Sequence, residues 1–76
     1  KKGIYAGVKQ TGDHIAVSNL EASWTECEND VAVLTENGKT VILSIMIAEL
    51  TSNESEHEKA MENIHEISRQ VSKELF

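Results

Sequence analysis

The apolar positions of this chain change their spacing along its length, and the spacing predicts strands followed by a helix. Residues 30–36 and 39–48 are strand-like, and the dipeptide Asn37-Gly38 lies between them. A two-residue type I′ turn requires positive φ at both central residues, which Asn-Gly adopts at low steric cost. We therefore predict an antiparallel hairpin that turns at residues 37–38.

A helical spacing replaces the strand pattern near the C-terminus. Ser55, followed three residues later by Glu58, has the form of a capping box at a helix start. We predict a helix over residues 54–75 that packs its apolar stripe on the sheet. The stripe consists of Ala60, Met61, Ile64, Ile67, Val71 and Leu75.

The first part of the chain has a weaker pattern. Residues 4–17 alternate as a half-buried strand does, and we interpret residues 18–29 as a loop anchored by Trp24. The predicted fold class is thus α+β, with antiparallel strands at 4–17, 30–36 and 39–48 and the C-terminal amphipathic helix on one face. The predicted core positions on the sheet are Val31, Val33, Ile42, Ile45 and Ile47.

The strand at 39–48 is almost continuously apolar, which is typical of a strand buried on both faces. One helix covers only one face of a sheet. We expect the other face to be covered either by the remainder of a larger parent domain or by a second copy in a homodimer.

Composition narrows the classes of function. The 76 residues are one domain at most, either a single domain 1–76 or the C-terminal fragment of a larger one. A net charge of −6 argues against nucleic-acid binding. No apolar run reaches the length of a membrane span, Cys27 is the only cysteine, and no motif points to a cofactor.

Few residues suggest chemistry. Lys9, Thr11 and Gly12, separated only by Gln10, could bind a small-molecule carboxylate through charge, a hydroxyl and close backbone approach. His57 and His65 are too far apart on the helix to share a metal ion, and we expect both to be solvent-exposed. The spacing of these histidines predicts no metal site. No serine is followed three residues later by lysine, so we predict no catalytic residue in this chain.

The order of the segments resembles the C-terminal part of the class A β-lactamase and penicillin-binding-protein-like serine hydrolases. The matching stretches are Asn29-Asp30-Val31-Ala32-Val33-Leu34, Glu36-Asn37-Gly38-Lys39, Val41 to Ile47 and Ile64 to Phe76. The resemblance implies an antiparallel sheet with a terminal helix packed on it, a β-lactam or peptidoglycan-type substrate, and an extracellular or cell-envelope location in a bacterium.

In that family a Lys-Ser/Thr-Gly strand lines the active site and holds the substrate carboxylate. The resemblance gives this substrate-binding role to Lys9, Thr11 and Gly12, and it places Asp13 or His14 near the oxyanion hole. The parent would then be a serine hydrolase, whereas this chain alone would not catalyse acyl transfer. The alternative is a non-catalytic α+β interaction module that dimerises through its sheet.

Overall fold

A computed structural model describes residues 3–76 as two helices and one three-stranded sheet. The elements in chain order are α1 (Ile4–Lys9), β1 (Ala16–Trp24), β2 (Cys27–Glu36), β3 (Lys39–Ile47) and α2 (Glu54–Leu75). The sheet is antiparallel with strand order β1-β2-β3, and both helices pack on the same face. The predicted α+β class, with a C-terminal helix on a three-stranded antiparallel sheet, is confirmed.

The hairpin between β2 and β3 turns at the predicted dipeptide. Glu36 pairs with Lys39, and φ is 50° at Asn37 and 81° at Gly38. Both angles are positive, as a type I′ turn requires. β2 begins at Cys27, earlier than predicted, so the central strand extends into the segment that we interpreted as a loop.

The predicted strand over residues 4–17 and the predicted loop over residues 18–29 are both wrong. Residues 4–9 are helical, and the first strand is Ala16–Trp24, which pairs with β2 along its whole length from Ala16–Thr35 to Trp24–Cys27. Trp24 is not a buried anchor, because 68% of its surface is exposed.

Helix α1 packs closely against α2. A Cβ atom added to Gly7 would lie 2.2 Å from the His65 carbonyl oxygen and 2.9 Å from Ser68 Cβ. Glycine therefore lets α1 lie directly against α2, with Ile4 and Val8 fully buried beside it. The i, i+4 spacing of Ile4 and Val8 fits a helix face as well as it fits an alternating strand.

The core lies between the two helices and one face of the sheet. β2 sends Ala32 and Leu34 into it, while the neighbouring Val31 and Val33 point to the opposite face and are 45% and 41% exposed. The predicted core positions Val31, Val33 and Ile42 are therefore wrong, and Ile45 and Ile47 are on the helix side and partly buried. The fully or nearly buried apolar residues are Ile4, Val8, Ile15, Ala32, Leu34, Ala60 and Ile64.

β3 is an edge strand of the described sheet and is covered on one face only. Ile42 and Met46 are 72% and 67% exposed. The expectation that this strand is buried on both faces is thus not met by residues 3–76.

Helix α2 begins and ends where predicted, but its cap and its buried face differ. The N-cap is Asn53, whose side-chain oxygen accepts from the Ser55 backbone N–H at 2.9 Å. The buried positions are Ala60, Ile64, Ser68 and Ser72, whereas Ile67 and Leu75 are 44% and 41% exposed. The small residue Ser68 lies where Gly7 of α1 approaches α2. The hydroxyls of Ser68 and Ser72 are each satisfied by a carbonyl of their own helix.

Neither helix in the described part of the chain has the length and apolarity that crossing a bilayer would demand.

Truncations at two neighbouring positions of β2 test which face of the sheet is the core. We expect Leu34→Ala to lower the free energy of unfolding by about 2–5 kcal/mol, because it opens a cavity in a buried cluster. Val33→Ala, on the exposed face of the same strand, should cost clearly less. Urea denaturation of both variants measures the difference, and equal losses would contradict the assignment of the faces.

The contact between the helices makes a second prediction about stability. Replacing Gly by Ala inside a helix normally stabilises it by about 0.5–1 kcal/mol. At Gly7 we expect the opposite sign, with a loss of about 1–3 kcal/mol, because the added methyl group overlaps the backbone of α2. Thermal unfolding of Gly7→Ala, beside Gln10→Ala at an exposed control position, measures the effect. A stabilised Gly7→Ala variant would refute the close packing.

Candidate functional site

Polar side chains, two of them buried carboxylates, gather at one end of the helix-facing side of the sheet. β2 contributes Glu28 and Asp30, which are 4% and 0% exposed, on the face that carries Ala32 and Leu34 further along the strand. We call the group the polar cluster. Its members are Asn19 and Ser23 of β1, Glu28 and Asp30 of β2, and His57 of α2.

Asp30 joins the sheet to the start of α1. Its Oδ2 accepts from the Ile4 backbone N–H at 2.9 Å, and its Oδ1 accepts from Asn19 Nδ2 at 3.1 Å. The first N–H groups of a helix have no partner inside the helix, so this carboxylate caps α1 from a neighbouring strand. Gly3 permits the contact, because its φ is +69° and an added Cβ would lie 2.5 Å from Asp30 Oδ2.

Glu28 joins the sheet to the first turns of α2. Its Oε2 lies 2.5 Å from His57 Nδ1, and its Oε1 accepts from the Ser23 hydroxyl. Both oxygens of this nearly buried carboxylate are therefore satisfied. A buried carboxylate without such partners would be strongly unfavourable.

His57 uses both of its ring nitrogens. While Nδ1 contacts Glu28, Nε2 lies 2.8 Å from the Thr25 carbonyl oxygen and 2.7 Å from the Thr51 carbonyl oxygen. The hydrogen bond to Glu28, followed by that to the Thr51 carbonyl, raises the pKa of the His57 imidazole above its usual 6.5. The expectation that His57 is a solvent-exposed helix histidine is wrong.

A third carboxylate, Glu21, lies at the margin of the polar cluster. Partial burial, followed by the negative charge of Asp30, raises the pKa of the Glu21 carboxyl, and Glu28 acts in the same direction. The cluster therefore concentrates negative charge, and among its members only His57 can carry a positive charge in return.

The order of contacts in the polar cluster differs from that of a catalytic triad. In a catalytic triad the base contacts the nucleophile and the carboxylate orients the base. Here the carboxylate lies in the middle, because Ser23 donates to Glu28 and His57 contacts Glu28 from the other side. The imidazole does not reach the hydroxyl, and its second nitrogen faces two carbonyl groups. The arrangement holds three chain segments together.

The predicted carboxylate-binding residues lie elsewhere and not on a strand. Lys9 ends α1, and Thr11 and Gly12 form the turn that follows it. Lys9 Nζ donates to the Ile15 carbonyl oxygen at 2.7 Å, and the Thr11 hydroxyl donates to the Val8 carbonyl oxygen at 2.7 Å. The expectation of a Lys-Thr-Gly-like strand here is wrong, since β1 begins four residues after Gly12 and contains neither lysine nor glycine. The binding role itself stays a prediction.

The two oxyanion-hole candidates are exposed. Asp13 follows Gly12, and His14 Nε2 is 3.5 Å from Glu36 Oε2, with about half of the His14 side chain accessible. Thr11 approaches Ser72 near the end of α2, whereas the polar cluster contacts His57 near its start. The structure does not bring the predicted binding residues and the polar cluster together.

A shallow pocket opens beside the polar cluster, between the start of α1 and α2. Its lining consists of Gly3, Glu58, Met61, Glu62 and His65. The two glutamates make it unsuited to an anionic ligand. Within residues 3–76, no group of three or more His, Cys, Asp or Glu side chains is arranged to hold a metal ion.

Sequence reasoning missed every member of the polar cluster. A signal was available in β2, where Glu28 and Asp30 share the two-residue period of Ala32 and Leu34 and therefore face the same side. The assignment of residues 18–29 to a loop concealed that register. His57 also lies one turn before Ala60 and Met61, on the predicted buried side of α2.

The fold is that of an open sheet with both helices on one face, and comparison with known proteins identifies its family. The model of the Beta-lactamase enzyme family matches residues 2–75, nearly the whole chain. The chain belongs to this family, which confirms the resemblance to β-lactamase-like proteins. Searches of the curated proteins and of the solved structures gave no significant match.

The contact between Asp30 and α1 makes a prediction about stability. Asp30→Ala removes the cap of the Ile4 N–H and leaves buried polar groups unpaired, so we expect a loss of about 1–3 kcal/mol or more. Asn29→Ala, one residue away and on the opposite face of β2, is the matched control and should cost less. Guanidinium denaturation measures both, and a harmless Asp30→Ala would show that the carboxylate does not fasten α1.

Proposed function

We propose that this chain is the sheet-and-helix part of a β-lactamase-like serine hydrolase that acts on β-lactam or peptidoglycan-type substrates in the bacterial cell envelope. In this proposal the chain does not catalyse alone. It forms one layer of the enzyme. The remainder of the parent domain covers the open face of the sheet, which is the side opposite the two helices, and carries the nucleophile.

The single observation that carries the proposal is the composition of that open face. About a quarter of the chain is charged, yet none of the residues that alternate onto this side of the three strands is charged. An antiparallel sheet that faces water normally carries polar side chains on its outer side. The face comprises Ala16, Ser18, Leu20, Ala22 and Trp24 of β1, Cys27, Asn29, Val31, Val33 and Thr35 of β2, and Thr40, Ile42, Ser44 and Met46 of β3.

The exposure of large side chains on this face supports a covering partner. Leu20, Trp24, Ile42 and Met46 are each about two-thirds exposed or more. Contiguous apolar patches of this kind are rare on the surface of monomeric proteins and mark sites of protein contact. The uncharged face therefore suits packing against another layer of protein.

The serine contacts support a non-catalytic role for the chain by itself. No Ser-x-x-Lys motif occurs in the sequence. Ser23 donates to a carboxylate, and the buried Ser68 and Ser72 donate to helix carbonyls. A serine nucleophile needs an adjacent base, and these hydroxyls have acceptors of other kinds.

The proposal assigns binding of the substrate carboxylate to Lys9, Thr11 and Gly12. Lys9 already donates to Ile15 and lies 5.9 Å from the centre of the Tyr5 ring. A carboxylate would have to displace the internal hydrogen bond. Lys9→Ala, with loss of binding to a small carboxylate as the readout, tests this role.

The same uncharged face favours one alternative, a small interaction module that forms a homodimer. Two copies packed face to face would bury Leu20, Ile42 and Met46 without any parent domain. The first proposal requires a nucleophile elsewhere in the gene product, whereas the interaction module requires none.

The test uses the complete product of the gene that encodes this chain, with a fluorescent penicillin as the probe. We expect covalent labelling of a serine outside residues 1–76. Ile42→Lys should abolish labelling through misfolding, because burying an unpaired charge costs about 4 kcal/mol or more. Asn63→Lys, at an exposed position of α2, is the control and should label normally.

Three outcomes decide between the proposals. Labelling that depends on Ile42 but not on Asn63 supports the parent enzyme. No labelling, together with a dimer in sedimentation that Ile42→Lys converts to a monomer, supports the interaction module. A gene product that lacks a Ser-x-x-Lys motif and stays monomeric would overturn both.

A further inference from the structure

We propose that His57 is a pH-sensitive clamp that, as an imidazolium, ties the turn between β1 and β2 to the loop that precedes α2. Deprotonation of the ring releases the turn. This device is independent of the enzymatic proposal, since it needs only the contacts of the polar cluster.

The first support is that every partner of His57 is a hydrogen-bond acceptor. Nδ1 faces the Glu28 carboxylate, and Nε2 faces the carbonyl oxygens of Thr25 and Thr51. A neutral imidazole carries one N–H and one lone pair, so one of its nitrogens would then point its lone pair at an oxygen. Only the imidazolium can donate on both sides.

The second support is the position of these acceptors in the fold. Thr25 lies in the β1–β2 turn, Glu28 on β2, and Thr51 in the loop before α2. The same turn and loop meet at one further point, where the Leu50 backbone N–H donates to the Glu26 carbonyl oxygen at 2.9 Å. His57 is therefore the side chain that joins α2, the sheet and the loop at this end of the molecule.

The charged groups around the ring decide the direction of the pH dependence. Glu28 contacts the ring from β2, Glu21 adds negative charge from β1, and Glu56 binds the backbone N–H and hydroxyl of Thr51 in the loop. Each of these carboxylates favours a cation at His57. The positive end of the α2 dipole acts against a cation. Partial burial of the ring also opposes it, and the hydrogen bond to Glu28 outweighs that burial, so the pKa of His57 is raised.

The sign of the stability effect follows from that shift. A histidine with a folded-state pKa above the unfolded value of about 6.5 contributes its full stabilisation below that pH. The contribution is lost as pH rises through the raised pKa. The pKa of the Glu21 carboxyl is also raised, by burial and by Asp30, so the variant His57→Gln is needed to separate its titration from that of the imidazole.

The test is a pH titration of the 76-residue chain by NMR, with two readouts. We expect the His57 ring to titrate with a midpoint above that of the same ring in the urea-unfolded chain. Over the same pH range the Leu50 amide should lose protection against hydrogen exchange, after correction for the intrinsic rate. The folding equilibrium constant should fall with the slope of one proton, at most about tenfold per pH unit.

Two variants separate the clamp from general effects of pH. His57→Gln keeps an amide donor but cannot titrate, so the transition at Leu50 should vanish, whereas His65→Gln should retain it. Were His57→Gln unfolded, the wild-type titration would still decide. A His57 midpoint at or below the unfolded value, or a Leu50 transition that persists in His57→Gln, would overturn the proposal.

Discussion

The two-residue alternation of side chains along β2 is the constraint on which the rest of this structure depends. β2 is the central strand, so its register fixes the orientation of both neighbours. Glu28, Asp30, Ala32 and Leu34 all face the helices. A shift of the register by one residue would expose all four and bury the uncharged face instead. The core, the polar cluster and the open face are thus three consequences of one register.

The helix-facing side of β2 is divided into an apolar half and a polar half. Leu34 and Ala32 pack under α1 and α2, which is ordinary burial of apolar surface. Asp30 and Glu28 continue the same row, and their burial is tolerated because each carboxylate is fully hydrogen-bonded. The polar half fixes where each helix begins on the sheet, which apolar packing alone specifies less sharply. Because Glu28 contacts His57, the stability of the polar half depends on the protonation state of that histidine.

Local signals in the sequence were sufficient for the second half of the fold and insufficient for the first. Asn37-Gly38 and the apolar spacing of residues 54–75 are short-range features, and both predicted the structure at those positions. The six residues of α1 have no strong helical signal, and they pack against α2 through a contact between Gly7 and His65, which are far apart in sequence. The candidate site was missed for a related reason, because Glu28 and His57 meet only after β1, β2 and α2 have assembled. The family resemblance was drawn over residues 7–76, and its Lys-Thr-Gly-like strand is wrong, but its other matching stretches lie within residues 29–76, where the predicted hairpin and helix are found.

The uncharged face of the sheet and the His57 clamp meet at the β1–β2 turn. Trp24 points to the uncharged face, and the next residue, Thr25, accepts from His57 on the helix side. A partner that packs on the uncharged face and orders this turn would bind the state with His57 clamped more tightly than the state with the turn released. Thermodynamic linkage then requires the reciprocal effect, namely that such a partner raises the pKa of His57 further. A partner that covers the sheet would therefore shift the release of the clamp to higher pH, and protonation of His57 would favour binding of that partner.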